Sequence, residues 1–335
     1  MSLVTLPDGR SFQASADQTV LGAALAAGIS LPYSCRTGRC STCRGRVLAG
    51  STCALGTESG LSADERDEGW ILTCVRGTAS DLALEIESLG DIVIPAPRTL
   101  PCRISSLERV SHDVMLVTLR LPPAAQFDFL PGQYVEIIGP NGIRRSYSLA
   151  NADFSGKALE LHIRAVGGGV MSRYWFDTAK TDDLLRLNGP LGTFFLRESM
   201  GLDLIFLATG TGIAPIKALL ERVARFPADS RPRSVAVFWG GRRRSDLYFD
   251  WRLLPGGFES FPVLSRPEDE WTGARGYVQH VLLARSPDLS NAAVYACGSD
   301  AMIRDARESL IAAGLPGRRF YSDAFVASGA DQSLG

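Results

Sequence analysis

Histidine is scarce in this sequence: His112, His162 and His280 are all that 335 residues contain. They offer no set of two histidines and a carboxylate, so oxygen activation at a non-haem iron is not expected of the chain. A strong charge of either sign is missing too. Thirty-five basic and 36 acidic side chains leave a net charge of −1, which gives no reason to expect nucleic acid or an anionic membrane as partner. Long apolar runs are also absent. The longest tract, Leu202 to Ala208, is interrupted by Asp203 and falls short of the ~18 residues a membrane span needs. The opening residues Met1-Ser2-Leu3-Val4-Thr5-Leu6-Pro7-Asp8 lack the basic-then-apolar pattern of a signal peptide. Cytoplasmic residence is therefore the expectation. What is there is a globular composition, 45% hydrophobic and 21% charged, in a chain long enough for two or three domains.

Cysteine usage is lopsided. Five of the seven cysteines lie between Cys35 and Cys74, while Cys102 and Cys297 stand alone. An odd count in a long intracellular chain argues for metal binding or catalysis rather than a disulfide framework. Cys35-Arg36-Thr37-Gly38-Arg39-Cys40-Ser41-Thr42-Cys43, followed at a distance by Cys74, has the spacing that wraps a loop around two irons and two sulfides. Iron with bridging sulfide favours soft anionic thiolates, and small residues between them let backbone N–H groups approach the sulfurs. Cys35, Cys40, Cys43 and Cys74 are thus the expected metal ligands. Structural zinc is the alternative, but it usually takes its cysteines in two short knuckles, and here the fourth stands alone. Cys53 fits neither half and is expected to be a small buried hydrophobe.

Around this loop, Val20–Ala27 before Gly28 reads as a helix stopped at its C-cap. Ser62-Ala63-Asp64-Glu65 reads as a capping box opening a second helix. Nearly all of residues 1–90 resembles plant-type ferredoxin, which implies a β-grasp fold. Arg36, Arg39, Arg44 and Arg46 near the cluster read either as ordinary surface charge or as a docking face for an acidic acceptor.

A first boundary falls at Ile92-Val93-Ile94-Pro95-Ala96-Pro97-Arg98, where two prolines remove backbone donors. Beyond it, Met115–Leu121, Tyr134–Ile138 and Leu159–Arg164 are strand-like runs separated by turn residues, as in an antiparallel sheet or barrel. From about residue 202, apolar strands at Leu204–Ala208, Ser234–Trp239 and Ala293–Ala296 alternate with helical periodicity, which reads as a parallel sheet with crossover helices. The expected organisation is a ferredoxin-like domain at 1–92, a linker at 93–100, an antiparallel barrel domain at 101–199, a parallel α/β domain at 200–327 and a loose tail at 328–335.

Arg145-Ser146-Tyr147-Ser148 is a weak motif alone. With what surrounds it, it resembles the flavin motif of the ferredoxin–NADP reductase superfamily. That resemblance implies that Arg145 pairs with the flavin diphosphate, Tyr147 packs on the isoalloxazine, and Ser148 reaches the hydride-accepting nitrogen. His162-Ile163-Arg164 and Gly169-Val170-Met171-Ser172 are similar to the second flavin segment of the same family. Thr209-Gly210-Thr211-Gly212 follows an apolar strand and opens a helix, a turn that presents N–H groups to phosphate. It is not the G-x-G-x-x-G fingerprint of a true Rossmann dehydrogenase, but it is similar to the pyridine-nucleotide segment of this superfamily. Cys297-Gly298, with Asp300 and Met302, matches the superfamily's later motif, which places the cysteine by the nicotinamide. By the same likeness, Phe325 stacks on the far flavin face with Asp323 nearby. For Cys297 a buried strand-end thiol, for His162 a strand histidine without a ligand role and for Phe325 a core position are the competing readings.

The whole chain thus resembles ferredoxin-containing, single-chain NADH reductases. These include the glucoseen-reductase type, which reduces a deoxysugar dehydrase, and the reductase components of Rieske and di-iron oxygenases. The resemblance implies a [2Fe–2S] cluster, FAD and NADH, with ferredoxin, barrel and parallel α/β modules in one chain. Hydride would pass to the flavin and single electrons through the cluster to a protein acceptor. A monomer is expected. A rival of another class is a redox-responsive binding subunit that holds both groups and turns over slowly. By the same likeness, Gly240, Arg242, Ser265 and Arg266 fall in the segments that meet the adenosine ribose in this superfamily. Arginine suits the 2′-phosphate of NADPH, whereas Asp246, Glu268 and Asp269 would repel it. NADH is favoured, and NADPH is the alternative.

Overall fold

The computed structural model describes all residues except 88, 91, 155, 156, 252, 253, 255 and 326–335. The expected tail at 328–335 lies outside the described residues. The chain forms two compact units, Met1–Ile94 with the chain end from Asp323, and Pro95–Ser322.

The first unit carries β1 (Ser2–Thr5), β2 (Ser11–Ala14), α1 (Val20–Ala26), β3 (Arg44–Ala49), β4 (Thr52–Ala54), α2 (Ala63–Asp67), β5 (Trp70–Leu72), β6 (Arg76–Thr78) and β7 (Leu82–Glu85). Its main sheet has the order β2-β1-β7-β3-β5, and β4 pairs β6 apart. The Thr19 hydroxyl accepts the Gly22 N–H and starts α1, and Gly28 at φ +73° ends it, a conformation that costs glycine little. Ser62 and Glu65 form the expected capping box. Val20, Leu21 and Ala24 then face Leu72, Leu82 and Leu84 in one apolar core. That core leaves the long loop before β3 to be held by turns.

In the second unit, β8 (Arg98–Arg109), β9 (Val114–Arg120), β10 (Tyr134–Ile138), β11 (Arg144–Ser148), β12 (Ala158–Arg164) and β13 (Leu184–Leu191) form one sheet, with the short helix α3 (Val170–Arg173) after β12. The order is β11-β10-β13-β8-β9-β12, and every pairing is antiparallel. A bridge between Leu149 and Leu161 joins the two edges, closing the sheet into a barrel without free edges. β8 starts at Arg98, within the stretch anticipated as linker. Val117, Leu119, Val135, Ile137, Leu159 and Leu161 fill the interior.

The same unit continues with β14 (Asp203–Thr209), α4 (Ile213–Ala224), β15 (Ser234–Gly241), β16 (Glu259–Leu264), β17 (Ala274–Arg275), α5 (Val278–Ala284), β18 (Ala292–Ser299) and α6 (Asp300–Ala312), and the last strand, β19 (Phe320–Phe325), begins in it and ends in the chain end that belongs to the first. The sheet order is β17-β16-β15-β14-β18-β19, and β14 is parallel to both neighbours. Leu204 to Ala208 are all buried, as a strand covered by helices on both faces requires. Nothing among the described residues is a helix long and apolar enough to cross a membrane.

Candidate functional site

The loop before β3 brings the four expected metal ligands together as two pairs. Cys35 is the half-buried one, and Cys40, Cys43 and Cys74 are buried. Arg36 and Ser41 take φ of 57° and 59°, and Gly38 takes 73°. Such left-handed turns aim successive N–H groups inward to form an anion-binding concavity. The Cys35 N–H donates to the Cys40 sulfur and the Thr37 N–H to the Cys35 sulfur, both at 3.4 Å. Cys74 is brought in by Thr73, whose N–H and hydroxyl both donate to the Cys43 carbonyl, at 3.1 and 3.0 Å. No side chain larger than hydrogen fits at Gly38, where a Cβ would stand 2.0 Å from the Thr57 carbonyl oxygen.

Hydrogen bonding from Cys40 pushes the Cys35 thiol down to about 5, and Cys43 lowers Cys74 in the same way. Their partners Cys40 and Cys43 are raised. Among the described residues, no three Cys, His, Asp or Glu side chains group as ligands of a single ion. Two pairs of thiols in an N–H-lined loop suit a binuclear iron–sulfur cluster, in which each iron takes two thiolates, better than one tetrahedral zinc.

One expectation in this unit needs correction. Cys53 is half-buried rather than buried, because β4 sits in the separate two-stranded sheet away from the main core. The four arginines, read either as surface charge or as a docking face, have different surroundings. Arg44 is drawn inward, with its guanidinium 3.9 Å from the Trp70 ring centroid and 3.0 Å from Glu65. Arg46 donates to the Glu68 carbonyl. Arg36, Arg39 and Arg46 are exposed. Asp323 is buried and accepts from the hydroxyl of Ser34, the residue before Cys35, and Phe325 is exposed.

In the barrel, Arg145 and Tyr147 alternate with Ser146 and Ser148 along β11, opposite Ile137, Val135, Glu136 and Tyr134 of β10. Arg145 is half-buried and Ser148 buried. The Tyr147 hydroxyl accepts from the Trp175 indole N–H at 2.9 Å, and the two rings meet edge to face. Burial raises the Tyr147 phenol to about 12. The ring is thereby fixed as a neutral platform. Met171 is buried, Val170 is exposed, and the Ser172 hydroxyl accepts the Val166 N–H at 2.8 Å, closing the glycine turn that contains Gly169.

His162 is not free to act as a ligand through its ring. Nε2 lies 2.8 Å from Glu160 and Nδ1 lies 3.0 Å from the Tyr248 hydroxyl, while Ile163 packs in the barrel core. Glu160 also accepts from Lys217 at 3.2 Å, and Lys217 donates to Glu221 at 2.7 Å and to the Ala150 carbonyl at 3.0 Å. Glu221 accepts the Ala152 N–H. This buried polar network joins the barrel to α4 and to the loop after β15. The Lys217 and Glu221 pair, four apart in an otherwise apolar helical run, was the readable trace of it.

Close backbone packing shapes the nucleotide end. A Cβ at Gly212 would lie 2.2 Å from the Cys297 carbonyl oxygen, and one at Gly298, with φ +150°, 2.0 Å from the Thr209 hydroxyl. Glycine is thus required for the ends of β14 and β18 to meet. The Ser299 N–H donates to Thr209, and the Ser299 hydroxyl caps α6 by accepting the Met302 N–H. Asp300 pairs with Arg304. Thr211 and Cys297 are buried, with Cys297 in the core of the parallel sheet. Gly240 packs on Val278. A cavity of about 590 Å³ opens beside the loops after β15 and β16, lined by Tyr248, Phe249, Trp271, Arg244 and Glu270 among others.

Residues 4–76 match the 2Fe-2S iron-sulfur cluster binding domain, 101–196 the oxidoreductase FAD-binding domain and 206–308 the oxidoreductase NAD-binding domain. The chain is 39% identical over 326 residues to the CDP-6-deoxy-L-threo-D-glycero-4-hexulose-3-dehydrase reductase of Yersinia pseudotuberculosis, spanning 96% of this chain and 97% of that one. The chain belongs to this family of ferredoxin-containing, single-chain reductases. Similarity extends to the xylene/toluene monooxygenase electron transfer component XylA of Pseudomonas putida, at 32% identity over 95% of this chain and 91% of that one. The crystal structure of the Amycolatopsis cytochrome P450 reductase GcoB aligns with a TM-score of 0.75 at 32% identity, covering 97% and 99% of the two chains. This reductase is an oxidoreductase with binding domains for a 2Fe-2S cluster, FAD and a nicotinamide nucleotide. The thiol pairs, the β11 motif and the glycine-lined ends of β14 and β18 lie within those three matched regions.

Proposed function

We propose that this reductase oxidises NADH and passes electrons to a separate dehydrase that acts on a nucleotide-linked deoxysugar. The observation that carries the choice of acceptor is the higher identity to a dehydrase reductase than to an oxygenase component. FAD, when bound, takes an electron pair as hydride and releases it one electron at a time, as an iron–sulfur cluster requires. The chain's own residues would hold and shield that chemistry. On β11, Arg145 would meet the diphosphate, Tyr147 would carry the ring system and Ser148 would hydrogen-bond at its edge. Thr209–Gly212 and Gly298 would cradle the nucleotide backbone, and the cavity by Phe249 and Trp271 would take the adenosine end. Cys297, Asp323 and Phe325 are assigned to the nicotinamide step by family likeness alone.

The cofactor reading favours NADH, because Asp246 lies 3.6 Å from the Arg242 guanidinium and offsets the charge that would attract a 2′-phosphate. We place the protein in the cytoplasm as a monomer of ferredoxin, flavin and nucleotide domains. Arg36 and Arg39 flank its electron exit and suit an acidic acceptor face. The test is a reconstituted assay with purified reductase, NADH and either a deoxysugar dehydrase or an oxygenase component. At least a tenfold faster acceptor-dependent NADH oxidation with the dehydrase is expected. A higher rate with the oxygenase component would overturn the assignment.

A further inference from the structure

Asp246, which the sequence placed against a 2′-phosphate, is buried and already spent. One of its oxygens accepts the Arg242 N–H at 2.7 Å and the Arg243 N–H at 3.3 Å, so it shapes the loop after β15 and cannot turn outward without unmaking it. A second carboxylate reaches the same spot from the barrel. Asp113, in the turn between β8 and β9, has one oxygen 2.8 Å from both Nε and a terminal nitrogen of Arg164 and 4.0 Å from Arg242. Ser111 fixes its other oxygen at 3.1 Å. Arg164 in turn stands against Gly210 at the start of the phosphate turn and 3.9 Å from Asp246. Burial would raise the Asp113 carboxyl, but the hydrogen bond and charge of Arg164 outweigh that and hold it below its ordinary value. It is an anion at neutral pH.

Two arginines and two aspartates thus cancel at the mouth of the nucleotide site, with the Arg242 side chain still 55% exposed. We propose that Asp113, a residue of the flavin barrel, sets the nucleotide preference of this reductase. Its charge holds Arg242 neutralised and repels the dianionic 2′-phosphate that distinguishes NADPH. Asp113 touches neither nucleotide by this reading and acts through Arg242, so it is a positioning residue. This inference rests on the NADH reading above.

The test measures kcat/KM for NADH and NADPH on the full-length, FAD-loaded protein with ferricyanide as acceptor, at low and moderate salt. Removing one negative charge within about a Debye length of a dianion shifts binding by roughly threefold to thirtyfold. Asp113→Asn should therefore raise the NADPH-to-NADH ratio by that factor, through KM rather than kcat, and more at low salt. Asp113→Ser removes the same charge with a smaller side chain and carries the same expectation, so the test does not hang on one variant folding. Adding Arg242→Gln to either variant should return the ratio to within about twofold of wild type. An unchanged ratio in both single variants, or a gain that survives Arg242→Gln, overturns the role of Asp113 alone. A wild-type preference for NADPH would instead overturn the cofactor reading beneath it.

Discussion

Lys217 is the residue whose loss should be felt most widely outside the cofactor sites. Its side chain is buried in α4, and its ammonium meets Glu221 at 2.7 Å, the Ala150 carbonyl at 3.0 Å and Glu160 at 3.2 Å. Lys217→Met keeps the length of the stem and deletes the charge. Two carboxylates and a carbonyl then lose their donor. Breaking a buried pair from one side costs about 3–5 kcal/mol. Here the side chains of Glu160 and Glu221 retain 30% and 18% exposure, so water recovers part of the loss and about 2–3 kcal/mol is the better figure. For a unit of this size, each kcal/mol moves the melting temperature by about 2–4 °C. A drop of roughly 4–12 °C is therefore expected. The assay is the rise of flavin fluorescence on heating, at fixed protein and FAD concentration near pH 7.5. Adding Glu221→Gln to Lys217→Met should restore part of the loss by removing one stranded charge. A melting temperature within about 2 °C of wild type would show that the network adds nothing net, and the reasoning would fail.

Cys74→Ser should abolish cluster absorbance and bound sulfide while leaving flavin reduction by NADH in stopped-flow largely intact; full iron occupancy would remove Cys74 from the ligands. Gly38→Ala should likewise yield cluster-poor protein with normal FAD content, because its Cβ would strike the Thr57 carbonyl; a variant with full cluster absorbance would contradict this. Gly212→Ala should raise KM for NADH several-fold without loss of FAD, as its Cβ would collide with the Cys297 carbonyl and splay β14 from β18. Burial holds His162 below its ordinary value of 6.5, so the neutral ring contributes stability fully above that pH and loses it as pH falls through the folded value. The melting temperature of wild type should accordingly fall between about pH 7 and 5, and His162→Gln should flatten that slope. An equally steep slope in the variant would assign the dependence elsewhere.

The parts of this molecule that could be read beforehand are those in which chemistry and spacing lie within a few residues of each other. Cys35 to Cys43, the Ser62–Glu65 cap and the stop at Gly28 are local devices, and the folded chain uses them as written. Strand positions in the barrel were also legible, because alternation of apolar residues in Leu159–Arg164 leaves one face for the core. Other side chains take their environment from partners that the sequence does not place beside them. His162 meets Tyr248, Arg44 meets Trp70, and Asp246 turns back on its own loop. Asp113 gave no signal at all, since a single acid in a hairpin turn becomes informative only when Arg164 and Arg242 converge on it.

The placement of β14 has a consequence for how the protein is made. Both of its neighbours in the sheet come later in the chain, β15 from Ser234 and β18 from Ala292. A ribosome that has released Leu204 to Ala208 has exposed a strand that is apolar on both faces, and the second flank is not available until β18 has also emerged. At about 5–20 residues per second that interval lasts several seconds. During it the nascent chain presents an unpaired edge of the kind that templates aggregation. Slower elongation between β15 and β18, or a shortage of chaperones, should therefore lower soluble yield more than changes in the ferredoxin segment, whose own sheet is complete by β7.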